Sequence, residues 1–519
     1  MPDRTLNSMP KRPTRSFEVL LFAAGILFVF VLPPFRAPDE NWHFLRACMI
    51  AEGRLFPDAI PDGVVLVVPD DAYACAMQPY AHIGGKANAP SLIRSALTRR
   101  SPGPHERTKT TTPYFPTYMP LAYVPASLGI AVAKALGFSP IVWLYLARLV
   151  TFFCTYLLVC VAVRLTSFAR GVIQAIALLP LTVQQLASIS VDGIAIGACL
   201  LIFALCLRTV ESFSPALRRE NLLWALAAML LAWTKIVYLP VLALMGAWVW
   251  RSPLENRRRR MGWTIGVLVV AAAAGLWGHR LVHSFHTDSR VIEGQTTSMS
   301  GQAQRMERNP AELVQISVST IKQHGGEWSR ELSRLGRLET VLPASMSYAM
   351  WLILLVSVIL ESRSPPPSAR IAAGVAIIGS VSLIMLSLYL WWSPVGSPTV
   401  WGVQVRYFLP LVPILGVMLK TTRVRIETTE SERRFWFVAI WAGLWWLTLV
   451  QMGRFFYDFP SKYLPTHSRA VVMAAVAVGI AYASYRRRER RRIAAGNVAP
   501  SHQAPTMLVI DGEPILSNR

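Results

Sequence analysis

The side chains best suited to acid–base chemistry lie together in residues 33–53, PPFRAPDENWHFLRACMIAEG. Asp39, His43 and Arg46 are spaced i, i+4 and i+7, so a helix places them on one face. A carboxylate and an imidazole can take the proton from a hydroxyl group, and a guanidinium can hold an anion. The alternative is structural, because acids such as Asp39 and Glu40 in the first turn of a helix also stabilise its unpaired amides and its dipole.

Prolines and a glycine define the helix that carries these residues. Pro33 and Pro34 end the preceding apolar helix, Pro38 fixes the entry to the next one, and Gly53 can end it. The two adjacent acids are therefore predicted in the first turn of a helix just outside the bilayer.

Composition places the chain in a membrane. Of its 519 residues, 53% are hydrophobic and the mean hydropathy is +0.40, which is too apolar for a soluble protein. The chain also contains many apolar runs of membrane-spanning length. The formal charge of +23 does not indicate nucleic-acid binding, because Lys and Arg gather in short segments between apolar runs. That distribution is typical of the cytoplasmic loops of a polytopic membrane protein.

The apolar runs and the charge pattern predict an all-α membrane protein with about 12 (11–14) transmembrane helices and both termini in the cytoplasm. The predicted helices are 17–32, 141–163, 172–189, 193–209, two short helices meeting near Lys235, 262–282, 344–361, 370–391, 405–420, 434–452 and 468–485. The apolar segment 117–137 is broken by two prolines and can be a full crossing or an interfacial helix. The second reading keeps nearly all basic clusters on one side, so we adopt it.

The domain organisation follows from these helices. Residues 1–16 form a cytoplasmic tail, 17–492 a single membrane domain, and 493–519 a polar, disordered cytoplasmic tail. Two large extracytoplasmic loops are predicted, at 34–116 and 284–342. Cys48 and Cys75 lie in the first of them, where an oxidising periplasm can pair them or leave them as free thiols.

Further ionisable residues fall at membrane depth, where they are costly and mark functional sites. The predicted topology places Asp192, Lys235 and Arg406 on the same extracytoplasmic side as Asp39, and Arg148 in the outer part of its helix. Asp192 can alternatively be a turn residue, and Lys235 can extend its amine to the interface. A guanidinium at Arg406 suits a phosphate, because its planar fork donates two hydrogen bonds.

A metal site is a weaker possibility. His279, His283 and His286 share one predicted helical face near an outer loop, a spacing that permits convergence on a divalent ion. No second cluster of ligands accompanies them, so we predict three interfacial polar residues and no cofactor.

Three sequence motifs resemble those of a known family. The run P-P-F-x-x-P-D-E-x-x-H-F-x-R-A is similar to the opening motif of bacterial membrane proteins grouped as domain of unknown function 2142, which are related to the GT-C glycosyltransferases. The segment WGVQVRYFLPLVP resembles the family motif Gln-Gly-Arg-Tyr-Phe-x-x-Pro, with Val405 in place of the glycine, and SISVD resembles an acidic element at an outer turn. The resemblance covers roughly residues 17–455.

The resemblance implies a GT-C-like fold and an inverting, polyprenyl-phosphate-sugar-dependent glycosyltransferase that modifies a cell-envelope glycan or lipid. It also implies that the membrane is a bacterial inner membrane. It implies that Asp39 is the general base, that Glu40 and His43 orient it, and that Lys235 and Arg406 bind the carrier phosphate. The remaining substrate-binding candidates are Arg46, Tyr118, Arg148, Asp192, Gln404 and Tyr407. The partners are then a lipid-linked sugar donor and a glycan or lipid acceptor, with no nucleic acid. The alternative function is a non-catalytic transporter or assembly subunit of a surface-polysaccharide pathway.

Overall fold

The computed structural model describes most of the chain between residues 15 and 457. The described residues are 15–60, 63–77, 107–112, 118–166, 169–211, 218–283, 289–292, 294–361, 364–420 and 430–457, with Tyr482 and Arg487. The predicted helix at 468–485 and the predicted tail at 493–519 lie almost entirely outside them, as do residues 1–14.

Helices make up most of the described part. The α-helices in chain order are α1 Arg15–Val31, α2 Glu40–Ala51, α3 Asp70–Met77, α4 Val124–Ala135, α5 Pro140–Leu165, α6 Arg170–Leu178, α7 Pro180–Leu186, α8 Val191–Glu211, α9 Arg218–Thr234, α10 Leu244–Trp250, α11 Leu254–His283, α12 Met299–Arg308, α13 Glu312–Glu331, α14 Ala344–Ile359, α15 Pro367–Trp392, α16 Val412–Leu419 and α17 Glu430–Phe456. Short 3-10 helices occur at Pro120–Tyr123, Ile236–Ala243 and Val405–Tyr407.

Within the described residues, small antiparallel sheets occur only in the segments predicted as outer loops. Their strands are β1 Asp58–Ile60, β2 Gly63–Pro69, β3 Arg107–Thr112, β4 Ser289–Ile292, β5 Gln295–Ser298, β6 Arg334–Leu335 and β7 Thr340–Val341. They pair as β1–β2–β3, β4–β5 and β6–β7. The expectation of a helical membrane domain is therefore confirmed, with minor sheets outside it. In the first loop, Cys48 and Cys75 are buried and do not form a disulfide.

Five described helices are long and apolar enough to cross a membrane: Pro140–Leu165, Val191–Thr209, Leu254–Gly278, Pro367–Trp392 and Arg434–Phe456. Four shorter apolar helices accompany them, at Pro120–Ala135, Asn221–Thr234, Ile236–Trp250 and Ala344–Ile359. The protein is thus a helical membrane protein, while the count of about twelve crossings stays a prediction.

The helix α8 lies at the centre of the bundle. In its membrane-length window 94% of the residues are buried, against 28–50% in the other four long helices, whose remaining apolar surface is free to face lipid. Asp192 stands in the first turn of α8, so it lies at the end of the most enclosed helix.

Three predicted helices are interrupted in the structure. The apolar run around Lys235 divides into α9 and the 3-10 helix at Ile236–Ala243, as predicted, and the lysine backbone between them is extended. The helix predicted at 172–189 breaks between α6 and α7, because Pro180 cannot donate a helical hydrogen bond. The helix predicted at 405–420 is corrected to a 3-10 turn followed by α16, which begins only at Val412.

The segment predicted as interfacial forms the 3-10 turn Pro120–Tyr123 followed by α4. Together they cover 16 residues, fewer than the roughly 20 that cross a bilayer. The helix packs closely on α5, since a Cβ atom on Gly129 would lie 2.7 Å from the carbonyl oxygen of Leu146. Ser127 donates from Oγ to the carbonyl of Ala47 at 3.0 Å, which joins α4 to α2.

Packing of α1 against α5 sets the relative direction of these two helices. At one end Arg164 pairs with Glu18 at 2.7 Å, and at the other end Arg148 bonds to the carbonyls of Val29 and Leu32. The two helices are therefore antiparallel, and Arg164 lies at the same end as the start of α1, as the predicted topology requires.

Candidate functional site

Four charged side chains from distant parts of the chain lie together, with Arg406 bridging two acids. Its Nη2 atom donates to Asp39 Oδ2 at 3.3 Å, and its Nε atom lies 3.8 Å from Asp192 Oδ2. Asp192 also forms an ion pair with Lys235 through its other carboxylate oxygen. We call Asp39, Asp192, Lys235 and Arg406 the charged cluster. Their convergence agrees with the prediction that these four residues open on one side of the membrane domain.

Asp39 enters the charged cluster from a strained turn immediately before α2. Its φ of 61° is left-handed, a conformation that is uncommon for a residue with a Cβ atom. Its carbonyl accepts the amides of Trp42 and His43, but its side chain makes no capping hydrogen bond. The side chain is 44% exposed, against 7–11% for the other members of the cluster. The interpretation of Asp39 as only a helix cap is therefore not supported.

Glu40, the next residue, serves the scaffold. It is fully buried and its carboxylate pairs with Arg148, whose Nε donates to Oε1 at 2.8 Å and whose Nη2 donates to Oε2 at 2.5 Å. The remaining three donors of Arg148 bond to the carbonyls of Val29, Leu32 and Pro33 at 2.7–3.0 Å. All five donors of this guanidinium are thus paired.

Three residues predicted for the site, Glu40, Arg148 and Arg46, make contacts within the protein and do not join the charged cluster. Glu40 and Arg148 tie the start of α2 to α1 and α5, and neither has an atom left for a substrate. Arg46 is 1% exposed and donates from Nη2 to the carbonyl of Leu55 at 2.5 Å, where it secures the turn after α2. Its position at i+7 from Asp39 does not bring it to the charged cluster, because the strained turn places Asp39 outside the helical repeat.

His43 does face the site, together with two tyrosines. Its Nδ1 atom lies 2.8 Å from the hydroxyl of Tyr123, and its ring stacks on Tyr118 at a centroid distance of 6.2 Å. Burial lowers the pKa of His43 to about 4, although the charges of Asp39 and Asp192 oppose the shift. The imidazole is therefore neutral at physiological pH and can orient groups by hydrogen bonding.

The turn that presents Arg406 is fixed by its neighbours. The amide of Val405 donates to Glu331 Oε2 at 2.8 Å, and the hydroxyl of Tyr238 donates to the carbonyl of Tyr407 at 2.8 Å. Val405 does not have a positive φ, so a valine fits this position without strain. Glu331 and Tyr238 had no distinguishing signal in the sequence, since each is an ordinary residue of an apolar or amphipathic helix.

The ring of Tyr407 lies beside both cations of the charged cluster. Lys235 Nζ stands 4.6 Å from the ring centroid, and Arg406 Cζ stands 5.2 Å from it. Arg406 Nη2 also donates to the Tyr407 hydroxyl at 3.2 Å. Tyr407 thus helps to hold two positive charges close together, which costs free energy unless anions or a π face compensate it.

Two polar atoms in the Arg406 segment have no hydrogen-bond partner among the described residues. They are Arg406 Nε and Gln404 Oε1, and both are buried. Buried polar atoms are nearly always paired, so an unpaired donor and an unpaired acceptor two residues apart indicate room for a bound molecule or water. The arrangement can therefore hold an anion at Arg406 and Lys235 while Asp39 accepts a proton.

The structure gives no support for a metal centre in the part that it describes. No group of three or more His, Cys, Asp or Glu residues has metal-binding geometry there. The side chains of His279, His283 and His286 lie outside the described residues.

The sequence was also compared with known proteins. A family model described as a predicted membrane protein (DUF2142) matches residues 22–415, about three quarters of the chain. Comparison with curated proteins and with solved structures gave no match. The matched region contains every member of the charged cluster. The chain therefore belongs to the DUF2142 family of predicted membrane proteins.

Proposed function

We propose that this protein is an inverting GT-C-type glycosyltransferase that moves a sugar from a polyprenyl-phosphate carrier to a cell-envelope glycan or lipid on the extracytoplasmic side. One observation carries the proposal: the half-exposed carboxylate of Asp39 pairs with the buried Arg406, which also lies beside the buried Asp192–Lys235 pair. Such a transfer needs a proton acceptor for the attacking hydroxyl and positive charge for the departing phosphate.

Donor binding changes the pairing within the charged cluster. The cluster contains two acids and two bases, so it is neutral before a phosphate arrives. Asp192 and Lys235 form a buried pair, whereas Asp39 is half exposed and makes a single 3.3 Å bond to Arg406. The carrier phosphate therefore takes the place of Asp39 on Arg406. Asp39 is released from its ion pair at the moment when a base is required.

The transfer then proceeds in one displacement. The acceptor hydroxyl gives its proton to the Asp39 carboxylate while its oxygen bonds to the anomeric carbon. The bond between that carbon and the phosphate oxygen breaks, and polyprenyl phosphate leaves with the additional negative charge. Arg406 and Lys235 stabilise this charge in a buried site, where electrostatic interactions are stronger than in water.

Neighbouring residues complete the site. Neutral His43 and Tyr118 lie on the side of Asp39 and orient the acceptor, while Gln404 and Tyr407 flank the phosphate position. Asp192 forms a buried ion pair with Lys235. This pair keeps the lysine charged and in place before the donor binds.

A deletion strain tests this function. Deletion should remove one sugar from an envelope glycan or lipid and raise the amount of the corresponding carrier-linked sugar, and the wild-type gene should reverse both changes. Unchanged glycans in the deletion strain would contradict the proposal. A transporter would instead move substrate without forming a glycosidic bond, and membranes from the wild type would then show no transfer from labelled carrier-linked sugar.

A further inference from the structure

A hairpin from the second outer loop reaches the turn that carries Asp39. Strands β6 and β7 form it, and the four-residue turn Gly336–Glu339 joins them. Leu335 and Leu342 are fully buried, so the base of the hairpin is anchored in the main apolar core. We call Gly336–Glu339 the docking turn.

The docking turn is tied to the helical bundle by a glutamine. Gln184 on α7 is fully buried, and its amide nitrogen donates to the Gly336 carbonyl at 3.0 Å. The Gly336 amide donates back to Gln184 Oε1 at 2.8 Å. Gly336 has φ +67°, and a Cβ atom there would lie 3.1 Å from both Phe456 Cζ and Glu339 Oε1. Both the conformation and the close fit therefore favour a glycine at this position.

Two further bonds run from the docking turn to the residues on either side of Asp39. Glu339 accepts from Arg36 Nη1 at 3.2 Å, and Arg337 donates from Nη2 to Asn41 Oδ1 at 3.1 Å. Arg36 and Asn41 are each only 4% exposed. The segment 36–41 is thus held from both ends by one turn that lies some 300 residues away in the sequence.

The backbone of this segment and of the residue before it, Phe35, needs such support. Phe35 and Asp39 both have φ of 61°, and left-handed conformations at residues other than glycine persist only where the surroundings enforce them. Asp39 has no side-chain capping bond to stabilise its turn from within. The restraint must come from contacts around the segment, and the docking turn supplies two of them.

We propose that the docking turn is the positioning element for Asp39: Arg337 and Glu339 hold the strained segment 36–41 so that the Asp39 carboxylate faces Arg406. The catalytic part of this inference rests on the proposed function, while the structural part does not. None of the docking-turn residues contacts the charged cluster in the described structure, so they act through the backbone of segment 36–41.

Hydrogen exchange of the protein in lipid nanodiscs tests the structural part. The amides of Glu40, Trp42 and His43 bond to carbonyls of this segment and report on its order. Gly336→Ala should raise their exchange about tenfold, because it adds both backbone strain and crowding against Phe456 and Glu339 at the docking turn. Gly294→Ala is the matched control, since Gly294 also has positive φ in a hairpin of the same loop but has open space around it. Equal effects of the two variants would overturn the inference.

Side-chain variants keep the test decisive if Gly336→Ala fails to fold. Arg337→Met should raise exchange in segment 36–43, and Arg337→Lys should restore most of the protection because it keeps a donor for Asn41. Glu339→Gln should give an intermediate increase. Exchange in α5 should stay at the wild-type level in all of them. No increase in any docking-turn variant would contradict the positioning role.

Envelope glycan analysis of the same variants separates the two parts. Raised exchange with loss of transfer supports both the positioning role and the catalytic use of Asp39. Raised exchange with full transfer would show that the docking turn orders segment 36–41 but that its order does not matter for activity, which contradicts the positioning role in catalysis. Wild-type exchange would refute docking whatever the glycans show.

Discussion

Replacing Glu40 with glutamine should destabilise the protein strongly, and the reason lies in the buried pair with Arg148. Both side chains have no exposed surface, and all five donors of Arg148 are paired. Glu40→Gln removes the only negative charge bonded to this guanidinium and sets an amide group against it. Breaking a buried ion pair by neutralising one partner typically costs about 3 to 5 kcal/mol.

The assay is unfolding of the purified protein in mild detergent, followed by tryptophan fluorescence, for Glu40→Gln and a control. Glu312→Gln provides the control, because Arg305 in its ion pair is 47% exposed and such pairs contribute about 1 kcal/mol or less. We expect a large loss of stability for Glu40→Gln and almost none for Glu312→Gln. Wild-type stability combined with abolished sugar transfer in Glu40→Gln would refute the scaffold role and make Glu40 a catalytic residue.

Three further predictions concern the site. Arg406→Lys should weaken binding of the carrier lipid by about 1 to 3 kcal/mol, because lysine lacks the bidentate fork; equal affinity in a lipid-binding assay would remove Arg406 from the phosphate site. Lys235→Met should destabilise the protein, and Asp192→Asn in the same chain should recover part of that loss, since the second change removes the buried charge left unpaired; additive losses in unfolding would contradict the pairing. His43 should make stability depend on pH. Its folded pKa of about 4 lies below the unfolded value of about 6.5, so the unfolded state gains the proton first as the pH falls. The wild type should therefore lose up to about 3 kcal/mol more than His43→Gln between pH 6.5 and 4, and parallel losses would refute the buried neutral state.

The broad organisation of the site could be predicted from the sequence. Charged residues in apolar surroundings are conspicuous, and a topology based on basic loops places Asp39, Asp192, Lys235 and Arg406 at one end of the bundle. The break at Lys235 was also predictable, because the apolar run around it is too long for one helix and has basic residues at both ends.

The division of roles between adjacent acids could not be predicted. Asp39 and Glu40 have the same chemistry, and only the fold shows that Glu40 turns inward to Arg148, 108 residues away. The position of Arg46 away from the charged cluster could not be predicted for a related reason. The i+7 spacing places Arg46 on the face of Asp39 only if Asp39 is part of the helix. The left-handed backbone at Asp39 instead places this residue before the helix begins. Glu331 and the docking turn act through hydrogen bonds to residues far away in the sequence, which leave no local pattern.

The most direct test of the central claim is sugar transfer by Asp39→Asn at matched expression in the deletion strain. Asparagine keeps the size of the side chain and an oxygen for Arg406, but it removes the proton acceptor, so the protein should fold normally. General-base catalysis contributes roughly 100-fold to 10,000-fold, and transfer should fall by about 3 to 5 kcal/mol in barrier terms. Asp58→Asn, the same change at an exposed position of the same loop, should leave transfer unchanged. Full restoration of the envelope glycan by Asp39→Asn would contradict the account.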